Sequence, residues 1–410
     1  MKRYVIIGGG IAGINCVEGI RSLDAEGEIT LISAEAESNY GRPLISYYLE
    51  GRTDRAHMSY RGGDFYDRNR VAALHGVSAE KIDPTAQTVT LSDGRVLPYD
   101  ALCVAAGSRP FVPPFPGLDT VETKFSFMTL ADAQGLEAAV TPESRVLIVG
   151  AGLIGLKCAE GLRDRAKSIT VCDLAPYVLS SILQPDSAAI VERHLARSGI
   201  ELLLGDSAAR FEGNVATMNS GKRVEFDVLV LAIGVRPNTA LISDAGGAVN
   251  RGIIINDRMA TTIPDIYAAG DCVESPDSVT GETGLIAILP NAARQGRVAG
   301  INMAGGGEVF AQGMRLNSIG FFGLHLMTAG SYDCEVYEEV DDTGCKKLFV
   351  KEGRLSGFII LGDVSRVGIY TALIREKRPL EEIDFDLVRK NPSLLPFGAS
   401  YRAQKLGGVV

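Results

Sequence analysis

Paired cysteines are missing from this 410-residue sequence. Seven cysteines (Cys16, Cys103, Cys158, Cys172, Cys272, Cys334 and Cys345) stand singly, with no Cys-x-x-Cys. Neither an iron–sulfur cluster, a zinc knuckle nor a dithiol redox motif is therefore indicated. An odd count without close pairs suits a reducing compartment. The four histidines (His57, His75, His194, His325) show no metal-ligand spacing, so no metal is expected. Long apolar runs are missing too. Val228–Val235 and Gly284–Pro290 fall far short of the roughly 20 residues of a membrane-spanning helix. Met1-Lys2-Arg3 leads into a strand and a glycine loop rather than a signal peptide, so the cytoplasm is the expected location. Nor is there an excess of basic charge: the formal net charge is −9, which argues against nonspecific nucleic-acid binding.

What the chain does hold begins at its first residues, MKRYVIIGGGIAGIN. Tyr4–Ile7 is an apolar run suited to a buried parallel strand, and Gly8, Gly10 and Gly13 follow it in a G-x-G-x-x-G pattern. Such glycines permit a tight turn, let backbone amides approach a pyrophosphate, and let the next helix pack closely with its positive end at the phosphates. Ile14–Leu23 reads as helix and Glu28–Ile32 as the second strand. Glu35 stands just past its end, about twenty residues after the last glycine, where such a fold needs an acid for ribose hydroxyls. Arg52–Arg70 is locally basic. Val77–Val104 reads as short strands, and Pro113–Gly117 as a stiff linker at a domain crossing.

The pattern then repeats. Arg145–Val149 is a strand, Gly150, Gly152 and Gly155 give a second G-x-G-x-x-G, and Asp173 ends the next strand, Ser168–Cys172. Two such units are far more specific than one. A second echo pairs Tyr99–Pro110 (YDALCVAAGSRP) with Phe226–Pro237 (FDVLVLAIGVRP). IYAAGDC follows at Ile266–Cys272, and Ala287–Ala304 holds a helix opened by Pro290. The tail from about Leu316 reads as strands and hairpins, with helices over Val364–Arg375 and Leu380–Val388. The fold class is therefore α/β, with two Rossmann-like dinucleotide-binding domains and a C-terminal α+β cap.

With these motifs in hand, the chain resembles the pyridine nucleotide-disulfide oxidoreductase superfamily of two-dinucleotide flavoprotein reductases. Within it, the chain is most similar to NADH:rubredoxin oxidoreductases and the flavin-bearing part of NAD(P)H nitrite reductases. The resemblance implies a discontinuous FAD domain, 1–113 and 245–318, an NAD(P)H domain, 114–244, and a C-terminal domain, 319–410. It implies that Gly8, Gly10, Ile11, Ala12 and Gly13 cradle the FAD pyrophosphate and Glu35 the adenosine ribose. Arg42 and Pro43 match the family's Tyr-x-Arg-Pro segment, and Ala106, Gly107, Arg109, Gly270 and Asn291 join the FAD site. Asp271 would accept a ribityl hydroxyl, a charged acceptor contributing roughly 1.5–3 kcal/mol. Gly150, Gly152, Leu153, Ile154, Gly155, Asp173 and Gly234 would take the nicotinamide nucleotide. Asp173 favours NADH over NADPH, since two like charges at about 4 Å repel by about 4 kcal/mol at an effective dielectric of 20.

Two departures narrow the expected chemistry. Disulfide-reducing relatives need a cysteine after the first ribose acid, and Asn39–Leu49 has none. Many relatives also place a lysine after the Arg-Pro segment and a glutamate after the second glycine motif, where this chain has Tyr47 and Lys157. Lys157 is then expected to supply the cation near the flavin from the opposite domain, with Tyr47 standing where relatives have their lysine. The resulting expectation is an NADH-dependent FAD reductase with an external acceptor, such as rubredoxin or a ferredoxin-like iron–sulfur protein, docking at a local patch such as Arg52–Arg70. The alternatives are an NADH oxidase, a nitrite-reductase-type component, or the flavin-bearing partner of an iron–sulfur subunit in a larger complex.

Overall fold

Short β-branched runs with both faces apolar make the central strands of two parallel sheets. The computed structural model describes residues 1–37, 39–311 and 313–406. The first sheet has the order Ile266–Ala268, Ala101–Val104, Arg3–Ile7, Glu28–Ser33, Val71–His75, all parallel. The second repeats it as Ile200–Leu204, Ser168–Asp173, Arg145–Val149, Val228–Leu231, Lys124–Phe125. Each carries a three-stranded antiparallel meander, at Ala79–Pro98 and at Ala208–Glu225. The chain thus leaves the first sheet, builds the second, and returns at Ile266–Ala268.

The aromatic–Asp echo has a structural cause. Asp100 accepts hydrogen bonds from the Arg3 amide (2.7 Å) and guanidinium (2.6 Å) at the start of the first central strand. Asp227 does the same for Arg145, at 2.8 and 3.0 Å. The Arg3 hydrogen bonds pull the Asp100 carboxyl down to about 2. The Gly-x-Arg-Pro echo has another cause. Ser108–Pro110 and Val235–Pro237 pair antiparallel with each other, Arg109 opposite Arg236. The two closures form one ribbon between the sheets.

The helix Leu289–Met303 lies close against Ile11–Arg21 where its glycines face that helix's backbone. A Cβ on Gly296 would fall 2.0 Å from the Ala12 carbonyl oxygen, and one on Gly300 would fall 2.1 Å from that of Cys16. That approach brings the N-terminus of Leu289–Met303 beside the first glycine loop.

The tail forms a five-stranded antiparallel sheet, Leu316–Phe321, Leu324–Gly330, Arg354–Leu361, Cys345–Lys351, Glu335–Val340. One face covers helix Gly368–Glu376 through Phe358, Tyr370 and Leu373. The other joins the core of the second sheet, with Phe321, Leu326 and Phe349 in one cluster with Leu183 and Ile190. Two expectations need correction here. The first predicted helix of the tail begins only at Gly368, and Leu380–Val388 is broken into Leu380–Glu382 and Phe385–Lys390, because Asp384 caps the second piece through the Leu387 amide. Among the described residues no helix is long and apolar enough to cross a membrane.

Candidate functional site

The two glycine loops are built alike. Gly8 and Gly150 both have φ +119°, and a Cβ on either would fall 2.1–2.2 Å from a carbonyl oxygen of the neighbouring strand end, Ala105 or Ala232. Both therefore require glycine. A Cβ on Gly10 or Gly152, in contrast, would meet nothing within 4 Å. No protein atom demands glycine there, and the open space lies where a phosphate would approach the amides. Helices Ile11–Arg21 and Leu153–Leu162 start at these loops, their positive ends turned toward that space.

Around the first loop is a cleft of about 360 Å³, within the range of small-molecule sites. Gly8, Gly10, Ile11, Ala12, Glu35, Arg42, Ala106, Gly107, Arg109, Gly270 and Asp271 all line it. Gly13 sits beneath the loop, against the Gly8 carbonyl. Pro43 and Asn291 are not in the lining; Asn291 is buried, donating to the Met314 carbonyl at 3.4 Å, while Leu289 and Ala292 of its helix face the cleft. Asp271 is enclosed by the cleft walls, and burial raises its carboxyl above the usual range, partly offset by Arg42. Gln295, itself buried, accepts from the Gly270 amide at 2.9 Å and fixes the turn that presents Asp271. Glu35 forms an ion pair with Arg42, whose second nitrogen donates to the Met128 carbonyl at 2.8 Å.

Several lining residues were not apparent from the sequence: Tyr60, Met128, Asn238 and Leu289; Tyr40 also lines the cleft, as the first residue of the Tyr-x-Arg-Pro segment. Met128 and Asn238 come from segments beyond the linker, and only the packing of the two sheets brings them in. Asn238 is placed by its side chain, which accepts from Arg109 at 3.1 Å and donates to the Ala106 carbonyl at 2.9 Å. A loop of glycines, a half-shielded acid and an enclosed carboxylate fit an elongated diphosphate with hydroxyls at either side.

At the second loop, Asp173 accepts from the Ala151 amide at 2.7 Å and from Ala175 at 2.8 Å. Its carboxylate is therefore anchored beside the glycines, with Leu174 exposed next to it. Leu153, Ile154 and Gly155 open the helix there, and Gly234 (φ +137°) turns the chain into the ribbon.

Lys157 and Tyr47 are brought together, away from the first cleft's lining. The Lys157 ammonium lies 4.7 Å from the Tyr47 ring centroid, and Arg52 lies 4.6 Å from the same ring. Lys157 pairs with Glu160, stands 3.9 Å from Glu50 and donates to the Gly320 carbonyl at 3.3 Å. It is thus an enclosed, neutralised cation rather than one reaching into solvent. Most of the basic stretch Arg52–Arg70 is paired with acids, which reduces its net positive charge. Arg52, Arg55, Arg61 and Arg70 pair with Glu50, Glu37, Glu18 and Glu26. The acids come from outside the stretch, so its own sequence could not reveal them. Among the described residues no group of His, Cys, Asp and Glu could hold a metal. All seven cysteines are free thiols, and burial raises Cys158 and Cys272 further from the thiolate.

Residues 2–296 match the family of pyridine nucleotide-disulphide oxidoreductases. The chain belongs to that family. It is accordingly an oxidoreductase, and family membership accounts for both nucleotide cradles. Among curated members, it is 31% identical over 391 residues to subunit epsilon of the NADH-dependent phenylglyoxylate dehydrogenase of Aromatoleum evansii, covering 92% of each chain. It is 30% identical to the nitrite reductase [NAD(P)H] of Bacillus subtilis (strain 168), where the match takes 93% of this chain but 48% of that protein. The chain thus spans about half of that relative. In fold it is similar to putidaredoxin reductase in its covalent complex with putidaredoxin, with a TM-score of 0.88 at 24% identity, covering 95% of this chain and 96% of that one.

Proposed function

We propose that this family member passes electrons from NADH through FAD to an external carrier, rubredoxin or a ferredoxin-like iron–sulfur protein. The observation that carries the reading is the first cleft, where Gly10, Glu35 and Asp271 converge on one elongated space. In this reading FAD belongs to the unit formed by 1–113 and 245–318, NADH to 114–244, and 319–410 flanks both. FAD, when bound, supplies a centre that accepts two electrons and releases them singly. The chain's own residues then bind and orient. Gly8–Gly13 and the helix they open receive the diphosphate, Glu35 and Asp271 accept hydroxyls, and Asp173 holds the ribose of NADH. Lys157, its charge offset by Glu160 and Glu50, is the donor that the second unit offers toward the flavin in this reading. A Lys157→Ala protein with unchanged flavin reduction rate and potential would remove that role.

The absence of a cysteine from Asn39–Leu49 directs the electrons outward rather than to a disulfide of this chain. One observation favours a second reading, a flavin-bearing subunit of a larger complex: a relative matched over 92% of both chains is itself a subunit. The deciding experiment reduces the purified protein with NADH without oxygen, then offers rubredoxin, ferredoxin, nitrite, disulfides and oxygen separately. Turnover with a free carrier supports the first reading. Inactivity with all of them, together with co-purification of an iron–sulfur subunit, supports the second. Failure of NADH to reduce bound flavin would sink both.

A further inference from the structure

The wall of the first cleft contains a hydrogen-bond chain that crosses between the two sheets' structures. Thr129 caps the helix Leu130–Ala139, which packs on the second sheet, and the first amide of that helix, on Leu130, donates to the Tyr40 hydroxyl at 3.0 Å. The Tyr40 hydroxyl in turn donates to Glu35 Oε2 at 2.5 Å. The direction of this chain is fixed. An amide can only donate, so the phenol oxygen must accept from it, and the phenol proton is left for the carboxylate. The positive end of the helix strengthens the phenol as a donor. Burial holds the Tyr40 proton well above the usual phenol range, so the donor is retained at any working pH. Arg42 clamps the other oxygen of Glu35 and reaches the Met128 carbonyl, so both hands on this carboxylate lead to the segment 128–130.

Glu35 is therefore not a free loop acid but one oriented by Tyr40 and Arg42. Each carboxylate oxygen has a second lone-pair direction, which leaves Glu35 able to accept from a ligand while remaining held. Resting on the reading that FAD fills this cleft, we infer that Tyr40 is a positioning residue that sets the preference for FAD over FMN, by aiming Glu35 at the adenosine ribose. FMN has no adenosine and would be indifferent to that aim.

The test titrates apoprotein with FAD and, separately, with FMN, following flavin fluorescence, for wild type, Tyr40→Phe, Glu35→Gln and the double variant. Phenylalanine keeps the buried ring in place and removes only the hydroxyl. The expected result for Tyr40→Phe is a Kd for FAD raised about tenfold, or about 1.4 kcal/mol, with FMN unchanged. The double variant should bind FAD no more weakly than Glu35→Gln alone, because the hydroxyl acts through Glu35. A purely structural role would weaken both flavins together, and that outcome, or an unchanged FAD-to-FMN ratio, overturns the inference while leaving the FAD reading intact. Wild-type protein that binds FAD no better than FMN would overturn the FAD reading itself, and the inference with it.

Discussion

At the scale of single residues, Asp271 trades stability against binding. Asp271 has its carboxyl raised by burial, so the native apoprotein holds that proton more tightly than the unfolded chain does. The sign follows: native stability from this group is greatest at low pH and falls as pH rises through and above the ordinary carboxylate range. Asp271→Asn should therefore make the apoprotein more resistant to urea at pH 7 to 8, with the advantage shrinking toward pH 4. The same variant should bind FAD at least tenfold more weakly, because a charged acceptor is lost. Equal urea midpoints for the two apoproteins at pH 7 to 8 would contradict this account. Asp173 makes the companion case for the nicotinamide nucleotide. Replacing it by alanine, with Leu174→Arg beside it, removes a repelling charge and offers a phosphate partner on an already exposed side chain. The ratio of kcat/KM for NADPH over NADH should rise at least tenfold; an unchanged ratio would show that Asp173 does not face the ribose. The glycines and acids were legible in the sequence because their spacing is fixed by one strand–loop–helix unit. Met128 and Asn238 were not, because their place in the cleft depends on how distant segments pack; Tyr40 was visible in Tyr-x-Arg-Pro, but its bond from the distant Leu130 amide was not.

At the scale of elements, the contact between Ile11–Arg21 and Leu289–Met303 rests on glycines facing carbonyl oxygens. Gly300→Ala puts a methyl 2.1 Å from the Cys16 carbonyl oxygen, where backbone rather than a flexible side chain must move. Overpacking of this kind typically costs about 1–3 kcal/mol. A lowered urea midpoint at unchanged slope would register it, and a midpoint equal to wild type would show that the helices can part freely. The sequence revealed the helix opened by Pro290, but not its neighbour, since small residues on a helix face do not name what they pack against. Charge was misleading for a similar reason. Arg52–Arg70 reads as basic on its own, yet Glu18, Glu26, Glu37 and Glu50 reach it from outside. Short polar helices were also hard to bound, because a single Asp384 cap decides where the piece Phe385–Lys390 begins.

At the scale of the whole molecule, the repeat of strand, glycine loop, helix and acid announced two parallel sheets of matching order. It did not announce that the two Gly-x-Arg-Pro closures would pair with each other, since an echo in sequence says nothing about mutual contact. That pairing makes the second sheet's portion an insertion with a single doorway: the chain goes in beside Pro110 and comes out beside Val235, opposite one another in register. Removing 111–234 would leave two strand ends that a two-residue Asn-Gly turn could join as an ordinary hairpin. A chain built this way and ended at residue 318 should fold around the first sheet and bind FAD more weakly than the full chain, since it lacks the Met128 carbonyl and Leu130 amide that hold Arg42 and Tyr40, while showing no response to NADH. A product unable to bind FAD would mean that the first sheet depends on its guest. The ribbon thus marks a seam where one nucleotide unit could be exchanged for another without lengthening or shortening the chain around it.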